Sequence, residues 1–554
     1  LEALEGCLRE IKSTKVRLDI VGGSVGPITQ SDVQLAEAAK SIIVGFDTKI
    51  ENGVQAHLKR TGVRIVTHDI IYELITLVKD AMSELLDPED LRALAQRYVG
   101  RPLTTEDLQA LLDGVSALYQ AQGVLTAAAD LRIGVLVSLL GIEPEVIAQL
   151  LGEQYKGKDK LIKPNLEAFL TGRHYANEHL AGELGLKVER RNNVGDRIFI
   201  EGNAAAALGA VYGGATVCAW YPITPSSSLA EAFQAHCKKL RHDKESGKAK
   251  YAIVQAEDEL ASIGIVIGAA WNGSRSFTST SGPGISLMTE FIGLASFAEV
   301  PAVIVNVQRG GPSTGMPTRT QQSDLLSCAY ASNGDTKHVL LFPEDPGECF
   351  EFTADALDLA DRLQTPVFVM TDLDIGMNHR LCKPFHWDEQ RVIDRGKVMK
   401  AADLDAGKTF GRYLDVDGDG IPFRTYPGTH PTKGSYFTRG TTKDEFARYS
   451  EEGPVYVRNM ERLQKKWETA KKIAPQPLRY SSPKPTRFGV IYFGSTSPSM
   501  NEALGVLEQS GVHLDRLRIR AFPFPDSVKS FIEQHEQVFV VEQNRDAQLR
   551  SMLV

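Results

Sequence analysis

The chain has 554 residues, a formal charge of -8, and 42% hydrophobic and 24% charged residues. This length is too great for a single hydrophobic core, so three or four domains are expected. The mildly acidic balance excludes a broad basic face for nucleic acid or anionic lipid, and no uncharged apolar run is long enough for a transmembrane helix. Six cysteines occur without a Cys-x-x-Cys pair, which argues against a disulfide framework, a zinc ribbon or a cluster-binding loop. We expect reduced, mostly buried cysteines and a cytoplasmic protein.

The first 90 residues alternate short apolar segments with amphipathic ones. VRLDI, SIIVGFDT and VRIVTHDI read as strands, and the segments between them read as helices. This pattern predicts a small α/β domain with a parallel sheet. The GGSVG turn lacks both G-x-G-x-x-G and G-K-[ST], so a structural turn is favoured over a phosphate-binding loop.

The middle of the chain reads as helical. Thr104 or Thr105 is expected to cap a helix whose leucines follow at helical spacing. Residues 131–190 predict two or three helices separated by Gly and Pro. From about residue 196 the pattern is strongly α/β, with a polar, Asp- and Gly-rich insertion at about 401–475.

The stretch WYPITPSSSLAE, residues 220–231, contains more turn residues than a strand-to-helix connection needs. Thr224 is expected at the end of a strand and the three serines at the start of a helix. A helix N-terminus offers free N–H groups, and a hydroxyl beside it can hold a carboxylate or an aromatic nitrogen. Taken alone, this stretch is explained more simply as a capped turn.

Acidic residues follow the next apolar strand, in YAIVQAEDELASIGIVIGAAW. Glu257, Asp258 and Glu259 could simply complement the dipole of the following helix. A carboxylate facing inward there would instead lie against Ala261, Gly264 and Ala269 and lose its hydration.

A third stretch runs from SFTSTSGPGISLM to AVIVNVQRGGPSTGMPTRT. It predicts a strand, a Gly-Pro-Gly turn, a helix and a second strand that ends at Arg309. Open α/β sheets bind ligands at the carboxyl ends of their strands, and the planar guanidinium suits a carboxylate.

The DVDGDG segment, with Asp415, Asp417 and Asp419, mimics the front of an EF-hand. Position 12 of such a loop would be Tyr426 rather than Glu. The segment is interpreted as structural, and we expect no metal site in this chain.

Taken in order, Y-P-I-T-P, E-D-E-x-A, S-G-P-G and Q-R-G-G-P-S-T-G-M-P-T resemble the α subunits of 2-oxoacid:ferredoxin (acceptor) oxidoreductases. The resemblance covers about residues 131–554. It implies a heteromeric enzyme that decarboxylates a 2-oxoacid oxidatively to acyl-CoA and CO₂. Thiamine diphosphate would be shared with a β subunit, which would carry Mg²⁺ and a [4Fe-4S] cluster. The other implied partners are ferredoxin, coenzyme A and the 2-oxoacid.

The resemblance also implies roles for particular residues. Glu259 corresponds to the glutamate that hydrogen-bonds the aminopyrimidine ring, and Thr224 would lie by the 2-oxoacid and the thiazolium. Arg309 would bind the substrate carboxylate, with Thr318 as a further contact. The remaining implied cofactor contacts are Tyr221, Pro222, Ser281 and Gly282.

Residues 1–90 resemble domain 3 of translation initiation factor 2, as in LEALEGCLREIKS and MSELLDPE, and 98–130 resemble a POTRA fragment. The alternative function is therefore a translation-related binding module without GTPase activity. The implied fold class is multidomain α/β: a pyrimidine-type thiamine-diphosphate fold, a transketolase-C-terminal-like domain and a small N-terminal α/β domain. The expected boundaries are 1–92 (initiation-factor-like), 93–130 (POTRA-like), 131–195 (helical remnant of the γ domain), 196–395 (pyrimidine-binding), 396–480 (insertion) and 481–554 (transketolase-C-terminal-like, truncated).

Overall fold

The computed structural model describes the chain in two compact units, residues 1–192 and 193–554. The second unit is described from residue 193 to its end. In the first unit the described residues are 4, 8, 20–24, 26–39, 41–46, 48–51, 54, 58, 61, 63–68, 74, 78, 125–156, 159–180 and 187–191.

The amino-terminal part of the first unit contains helix α1 (Gln30–Ala38) and strands β1 (Ile43–Phe46) and β2 (Ile65–His68). The strands pair in parallel, so this part of the predicted α/β domain is confirmed. Thr29 caps α1 in a reciprocal capping box with Asp32. The predicted strand VRLDI lies almost entirely outside the described residues, and the helix predicted after Thr104 lies wholly outside them.

The described residues from 125 onward in the first unit contain three helices, in line with the two or three predicted for 131–190: α2 (Leu125–Leu140), α3 (Pro144–Gln154) and α4 (Asp159–His179). Helices α2 and α4 pack closely because each contributes a glycine to the contact. A Cβ on Gly134 would lie 2.0 Å from the carbonyl oxygen of Phe169, and one on Gly172 would lie 2.0 Å from that of Leu131. A larger residue at either position would force these helices apart.

The second unit is built on a seven-stranded sheet in the order β14-β8-β9-β7-β6-β4-β5. Six strands are parallel, and only the edge strand β14 runs antiparallel. The central strands β7 and β9 are buried along their whole length, as expected for a parallel sheet covered on both faces. The strands are β4 (Val217–Trp220), β5 (Ala252–Gln255), β6 (Ser276–Thr280), β7 (Ala302–Gln308), β8 (Val339–Leu341), β9 (Pro366–Asp372) and β14 (Ala521–Phe522).

Helices cover both faces of this sheet, and two hydrophobic clusters fill the spaces between them. The helices are α5 (Gly202–Tyr212), α6 (Ser227–Leu240), α7 (Glu259–Trp271), α8 (Gly282–Ala298), α9 (Leu325–Ala329), α10 (Pro346–Leu363) and α11 (Leu373–Met377). A two-stranded antiparallel ribbon, β3 (Ile198–Ile200) with β10 (Arg380–Cys382), lies beside them.

The carboxyl-terminal part forms a four-stranded sheet in the order β11-β13-β12-β15. The alternation of strands and helices predicted for 485–554 is confirmed. The sequence did not predict that β14 pairs with the larger sheet. The elements are β11 (Leu478–Tyr480), β12 (Phe488–Phe493), α14 (Thr496–Gln509), β13 (Asp515–Ile519), α15 (Asp526–Glu533), β15 (Gln537–Val541) and α16 (Gln548–Leu553).

The polar insertion contains helices α12 (Ala401–Asp405) and α13 (Gly453–Ile473) and is tied to the end of α8 by buried charges. Glu299 is fully buried and pairs with Arg462 and with Lys466, whose Nζ lies 2.8 Å from Oε2. In the DVDGDG segment Asp417 and Asp419 both pair with Lys397, at 2.8 Å.

The five described cysteines are free and buried, as predicted. In the part of the chain that the structure describes, no helix is both long enough and apolar enough to cross a bilayer.

Candidate active site

The predicted site residues lie at the carboxyl edge of the parallel sheet. Strands β4, β6 and β7 end at Trp220, Thr280 and Gln308. The loops that follow them hold Thr224, Ser281 and Arg309. Because parallel strands bring their carboxyl ends to one edge, segments far apart in sequence meet here.

The Tyr221–Ser228 turn is shaped by its serines, which explains their number. Ser227 Oγ accepts a 3.1 Å hydrogen bond from the Ile223 amide, and Ser226 Oγ donates to the Ile223 carbonyl at 3.2 Å. Ser226 precedes α6 but makes no side-chain cap, so the simple capped-turn interpretation is wrong. The serine hydroxyls are used instead to fix the turn that carries Thr224.

Asn203, at the start of α5, holds the same turn from beneath. Its Nδ2 donates to the Pro225 carbonyl at 2.8 Å and to Ser228 Oγ at 2.9 Å. Thr224 itself lies past the strand end and is exposed, as are Tyr221 and Pro222. The turn therefore has a rigid base and presents an accessible hydroxyl.

Arg309 joins this turn to the glycine-rich loop after β7. Its Nη1 donates to the Thr224 carbonyl at 2.6 Å, and its Nη2 donates to the Thr314 carbonyl at 3.0 Å. The side chain is buried and its Nε has no hydrogen-bond partner. A guanidinium has five N–H donors, so donors remain for an arriving carboxylate.

Glu259 is the first residue of α7 and its side chain is 5% exposed. Burial raises the pKa of its carboxyl and the charge of Asp258 raises it further, whereas a hydrogen bond from the Glu259 backbone amide and the charge of Arg309 oppose the shift. The carboxyl is buried, as expected, but not against Ala261, Gly264 and Ala269 of its own helix. The carboxyl faces the first turn of α8, where a Cβ on Gly284 would lie 2.7 Å from Glu259 Cγ and 3.0 Å from Oε1.

The Gly-Pro-Gly segment is the first turn of α8, not a turn that precedes the helix. Ser281 is the N-cap residue, and proline at the second helical position fits because its missing N–H is not needed there. The hydroxyls of Ser279 and Ser281 are buried without a hydrogen-bond partner. The unpaired serine hydroxyls and the buried Glu259 carboxyl form a polar cradle at the start of α8 that suits a heteroaromatic group with ring nitrogens.

Thr318 lies apart from the buried residues, on the exposed loop 312–319. Its carbonyl and hydroxyl oxygens both accept hydrogen bonds from Arg319 Nη1, at 2.8 and 3.0 Å. The structure thus brings Thr224, Glu259 and Arg309 together with Ser281 and leaves Thr318 at the rim of the site.

Sequence reasoning missed two polar residues of the site, Asp324 and Asn306. Asn306 Nδ2 donates to Asp324 Oδ2 at 3.1 Å, and burial raises the pKa of the Asp324 carboxyl. The available signal was the asparagine within the otherwise apolar strand AVIVNVQ, since a buried polar side chain needs a partner.

The fold and this edge of the sheet define an α/β protein with a candidate ligand site at the carboxyl ends of its parallel strands. The family profile "Pyruvate flavodoxin/ferredoxin oxidoreductase, thiamine diP-bdg" matches residues 208–401. Profiles for "Translation-initiation factor 2" and "POTRA domain, ShlB-type" match residues 1–79 and 74–133, so both amino-terminal resemblances are confirmed.

Related proteins identify the family. The chain is 32% identical over 549 residues to 2-oxoacid:ferredoxin oxidoreductase 2, subunit alpha, of Aeropyrum pernix, an alignment that covers 94% of this chain and 82% of the relative. It is 35% identical over 361 residues to the 2-oxoglutarate synthase subunit KorA of Methanothermobacter thermautotrophicus, covering 63% and 88%. The chain belongs to the α-subunit family of the 2-oxoacid:ferredoxin oxidoreductases.

A solved structure supports this assignment. The 2-oxoglutarate:ferredoxin oxidoreductase from Magnetococcus marinus, with 2-oxoglutarate, coenzyme A and succinyl-CoA bound, matches with a TM-score of 0.67 and 28% identity. The match covers 81% of this chain and 74% of that one.

Proposed function

We propose that this chain and a β subunit together convert a 2-oxoacid and coenzyme A to acyl-CoA and CO₂ and pass the electrons to ferredoxin. The observation that carries the proposal is the placement of a buried carboxyl, Glu259, beside a buried guanidinium, Arg309, at the carboxyl edge of the sheet. The enzyme would act in the cytoplasm. Mg²⁺ and a [4Fe-4S] cluster would be held by the β subunit.

The cradle at the start of α8 would hold the aminopyrimidine side of thiamine diphosphate, through Glu259, Ser281 and Gly282, with Tyr221 and Pro222 at the rim. Its fit rests on the raised pKa of Glu259 and on the unpartnered Ser281 hydroxyl. Thiamine diphosphate supplies the electron sink that lets the bond between the carboxylate carbon and the 2-oxo carbon break.

The chain's own residues would bind, orient and hold a proton. Desolvation raises the pKa of Glu259, which favours the protonated carboxyl, and this carboxyl would share its proton with a ring nitrogen. The remaining donors of Arg309 would bind the substrate carboxylate. The Thr224 hydroxyl would lie by the 2-oxoacid and the thiazolium, and Thr318, from the rim, would be a further contact to the substrate.

The proposal is tested by co-expressing the chain with β subunits and following reduction of a low-potential viologen dye. Activity should require the β subunit, thiamine diphosphate, a 2-oxoacid and coenzyme A together. Arg309→Ala should raise the KM for the 2-oxoacid by about two orders of magnitude. Arg545→Ala, at an exposed arginine that pairs with Asp546, is the matched control and should keep the wild-type KM. A folded complex that reduces no dye with any 2-oxoacid would overturn the proposal.

A further inference from the structure

The glycine-rich loop, residues 310–321, is closed at its base by internal hydrogen bonds. The Gly310 amide donates to the Arg319 carbonyl at 2.8 Å. The Gly311 amide donates to Gln321 Oε1, also at 2.8 Å. Because the two ends of the loop are joined in this way, a contact that fixes one end constrains the whole loop.

The side chain of Gln322, the residue directly after the loop, is buried in a polar network. Gln322 is 1% exposed. Its Nε2 donates to Ser495 Oγ at 3.2 Å and to Asp372 Oδ2 at 3.4 Å. Its Oε1 accepts from Thr496 Oγ1 at 3.2 Å and from the Gln543 amide at 3.4 Å. A glutamine side chain has two donors and two acceptor sites, so all four are used here.

The carboxyl-terminal domain, residues 478–554, is shaped to receive this side chain. A Cβ on Gly494, between β12 and α14, would lie 2.9 Å from Gln322 Nε2, and Gly494 has a positive φ of 57°. Ser495 immediately precedes α14 but makes no side-chain cap. Its hydroxyl donates instead to the Asp372 carboxyl at the end of β9. The start of α14 therefore forms a pocket for one glutamine of the main sheet domain.

The segment after β15 holds the backbone at the same point. The Gln322 amide donates to the Gln543 carbonyl at 3.0 Å, and the Gln322 carbonyl accepts from Asn544 Nδ2 at 2.9 Å. One residue further on, the Ser323 carbonyl accepts from Gln548 Nε2 at 2.7 Å. The carboxyl end of the glycine-rich loop is therefore fixed, through both side chain and backbone, by a domain that holds none of the proposed catalytic residues.

The glycine-rich loop also reaches the candidate active site. Arg309 Nη2 donates to the Thr314 carbonyl at 3.0 Å, and Thr318 lies on the exposed part of the loop. We propose that Gln322 is a positioning residue, through which the carboxyl-terminal domain fixes the loop and with it Thr314 and Thr318. The inference rests on the proposed function, in which Arg309 binds the substrate carboxylate and Thr318 is a further contact. Gln322 acts through the loop and does not contact the substrate itself.

Two variants loosen this anchor from opposite sides. Gln322→Leu keeps the approximate volume of the side chain and removes its four hydrogen bonds. Asn544→Ala removes the donor to the Gln322 carbonyl. Each should raise the KM for the 2-oxoacid about tenfold and change kcat less than about threefold, because contacts from the loop act alike in the ground and transition states. Thiamine diphosphate affinity should not change, since the hydrogen-bond partners of Gln322 lie outside the cradle at the start of α8.

Hydrogen–deuterium exchange measures the state of the loop directly and needs no activity. Peptides spanning residues 310–321 are followed by mass spectrometry in the purified chain, with and without the β subunit. In both variants their amides should exchange at least about tenfold faster than in wild type, because the loop opens more often once its end is released. Peptides from β6 and α8 should keep the wild-type rate.

Thr353→Val is the control for the loss of a buried hydrogen bond elsewhere. Thr353 lies in α10, is fully buried, and its Oγ1 donates to the Cys349 carbonyl at 2.7 Å. This variant should lower the unfolding midpoint, as Gln322→Leu does, but should leave loop exchange and KM unchanged. Arg545→Ala, at the exposed residue next to Asn544, should leave all three unchanged.

The outcomes separate the two proposals. A wild-type complex without 2-oxoacid-dependent dye reduction would overturn the proposed function, and the exchange rates would still decide whether the loop is anchored as inferred. Wild-type exchange of residues 310–321 in both variants would overturn the inference, and a lower unfolding midpoint alone would then show that Gln322 is only structural. Faster exchange with a wild-type KM would also overturn it, because the anchor would not serve the substrate. If Gln322→Leu does not fold, Asn544→Ala decides.

Discussion

Arg309 and Thr224, 85 residues apart in the chain, are joined by a 2.6 Å hydrogen bond from Nη1 to the backbone carbonyl. The second terminal nitrogen reaches the Thr314 carbonyl on the glycine-rich loop. One side chain therefore connects the turn that presents the Thr224 hydroxyl with the loop that carries Thr318.

This relationship predicts that Arg309→Lys will not be a conservative change. A lysine ammonium is a point donor and cannot reproduce the planar geometry that spans both carbonyls. We expect kcat/KM for the 2-oxoacid to fall by about 10²-fold, because the turn and the loop lose their common donor. Steady-state kinetics of the α/β complex measure this, with Arg545→Lys as the control. Wild-type kcat/KM in Arg309→Lys would show that charge alone is sufficient.

Gly284→Ala should prevent the cradle from forming. The added Cβ would lie 2.0 Å from Thr280 Oγ1 and 2.7 Å from Glu259 Cγ, so the Glu259 side chain must move. We expect at least about tenfold weaker thiamine diphosphate binding by titration calorimetry of the complex. Gly505→Ala, in helix α14 with nothing within 4 Å of its Cβ position, is the control and should bind normally. Equal affinity in the two variants would contradict the assigned position of the cofactor.

Glu299→Gln should destabilise the second unit strongly. Glu299 is fully buried and neutralises Arg462 and Lys466, so its loss leaves two buried cations without their anion. Removing one partner of a buried pair typically costs about 3–5 kcal/mol. The urea midpoint should fall accordingly, while Glu389→Gln, at an exposed glutamate, should match wild type. A midpoint for Glu299→Gln within error of wild type would refute the anchoring of the insertion.

His338 predicts a pH-dependent contribution to stability. Burial lowers the pKa of its imidazole to about 4, and its Nε2 lies 2.7 Å from the Ala331 carbonyl. The ordinary value is 6.5, so between pH 6.5 and 4 the unfolded chain binds a proton that the folded chain does not. Acidification through this window therefore costs up to about 3 kcal/mol of stability.

The measurement for His338 is the urea midpoint at several pH values for wild type and His338→Gln. Glutamine can still donate to the Ala331 carbonyl but does not titrate. The variant should lose less stability than wild type as the pH falls from 6.5 to 4.5. If the urea midpoints of wild type and variant fell equally with pH, the titration of His338 would not contribute to the loss of stability.

Several site residues could be predicted because each lies in a short segment whose pattern identifies the strand or helix beside it. Arg309 follows directly after an apolar strand, and Glu259 begins a helix of small residues, so each could be placed at the sheet edge. Their contacts could not be predicted, because they join distant segments. Asp324 lies 42 positions after Gly282, and only the folded sheet brings its carboxyl over the start of α8.

In the fold, too, local elements could be predicted from the sequence and long-range pairing could not. Alternating apolar and amphipathic segments predicted the α/β character of the chain from about residue 196, the strands and helices around the three motifs, and the alternation of 485–554. The joining of β14 to β8 was not predictable, because a two-residue strand has no periodicity and its pairing is set by where the carboxyl-terminal domain docks.

The central claim is that this chain provides the cofactor-activating carboxyl of a thiamine-dependent oxidoreductase, and Glu259→Gln tests it most directly. The comparison is 2-oxoacid- and coenzyme-A-dependent dye reduction by the α/β complex for wild type, Glu259→Gln and Glu257→Gln, the last at an exposed neighbour. We predict that kcat falls by at least about 10²-fold in Glu259→Gln, with the complex intact, and stays at the wild-type value in Glu257→Gln. Wild-type kcat in Glu259→Gln would contradict the account.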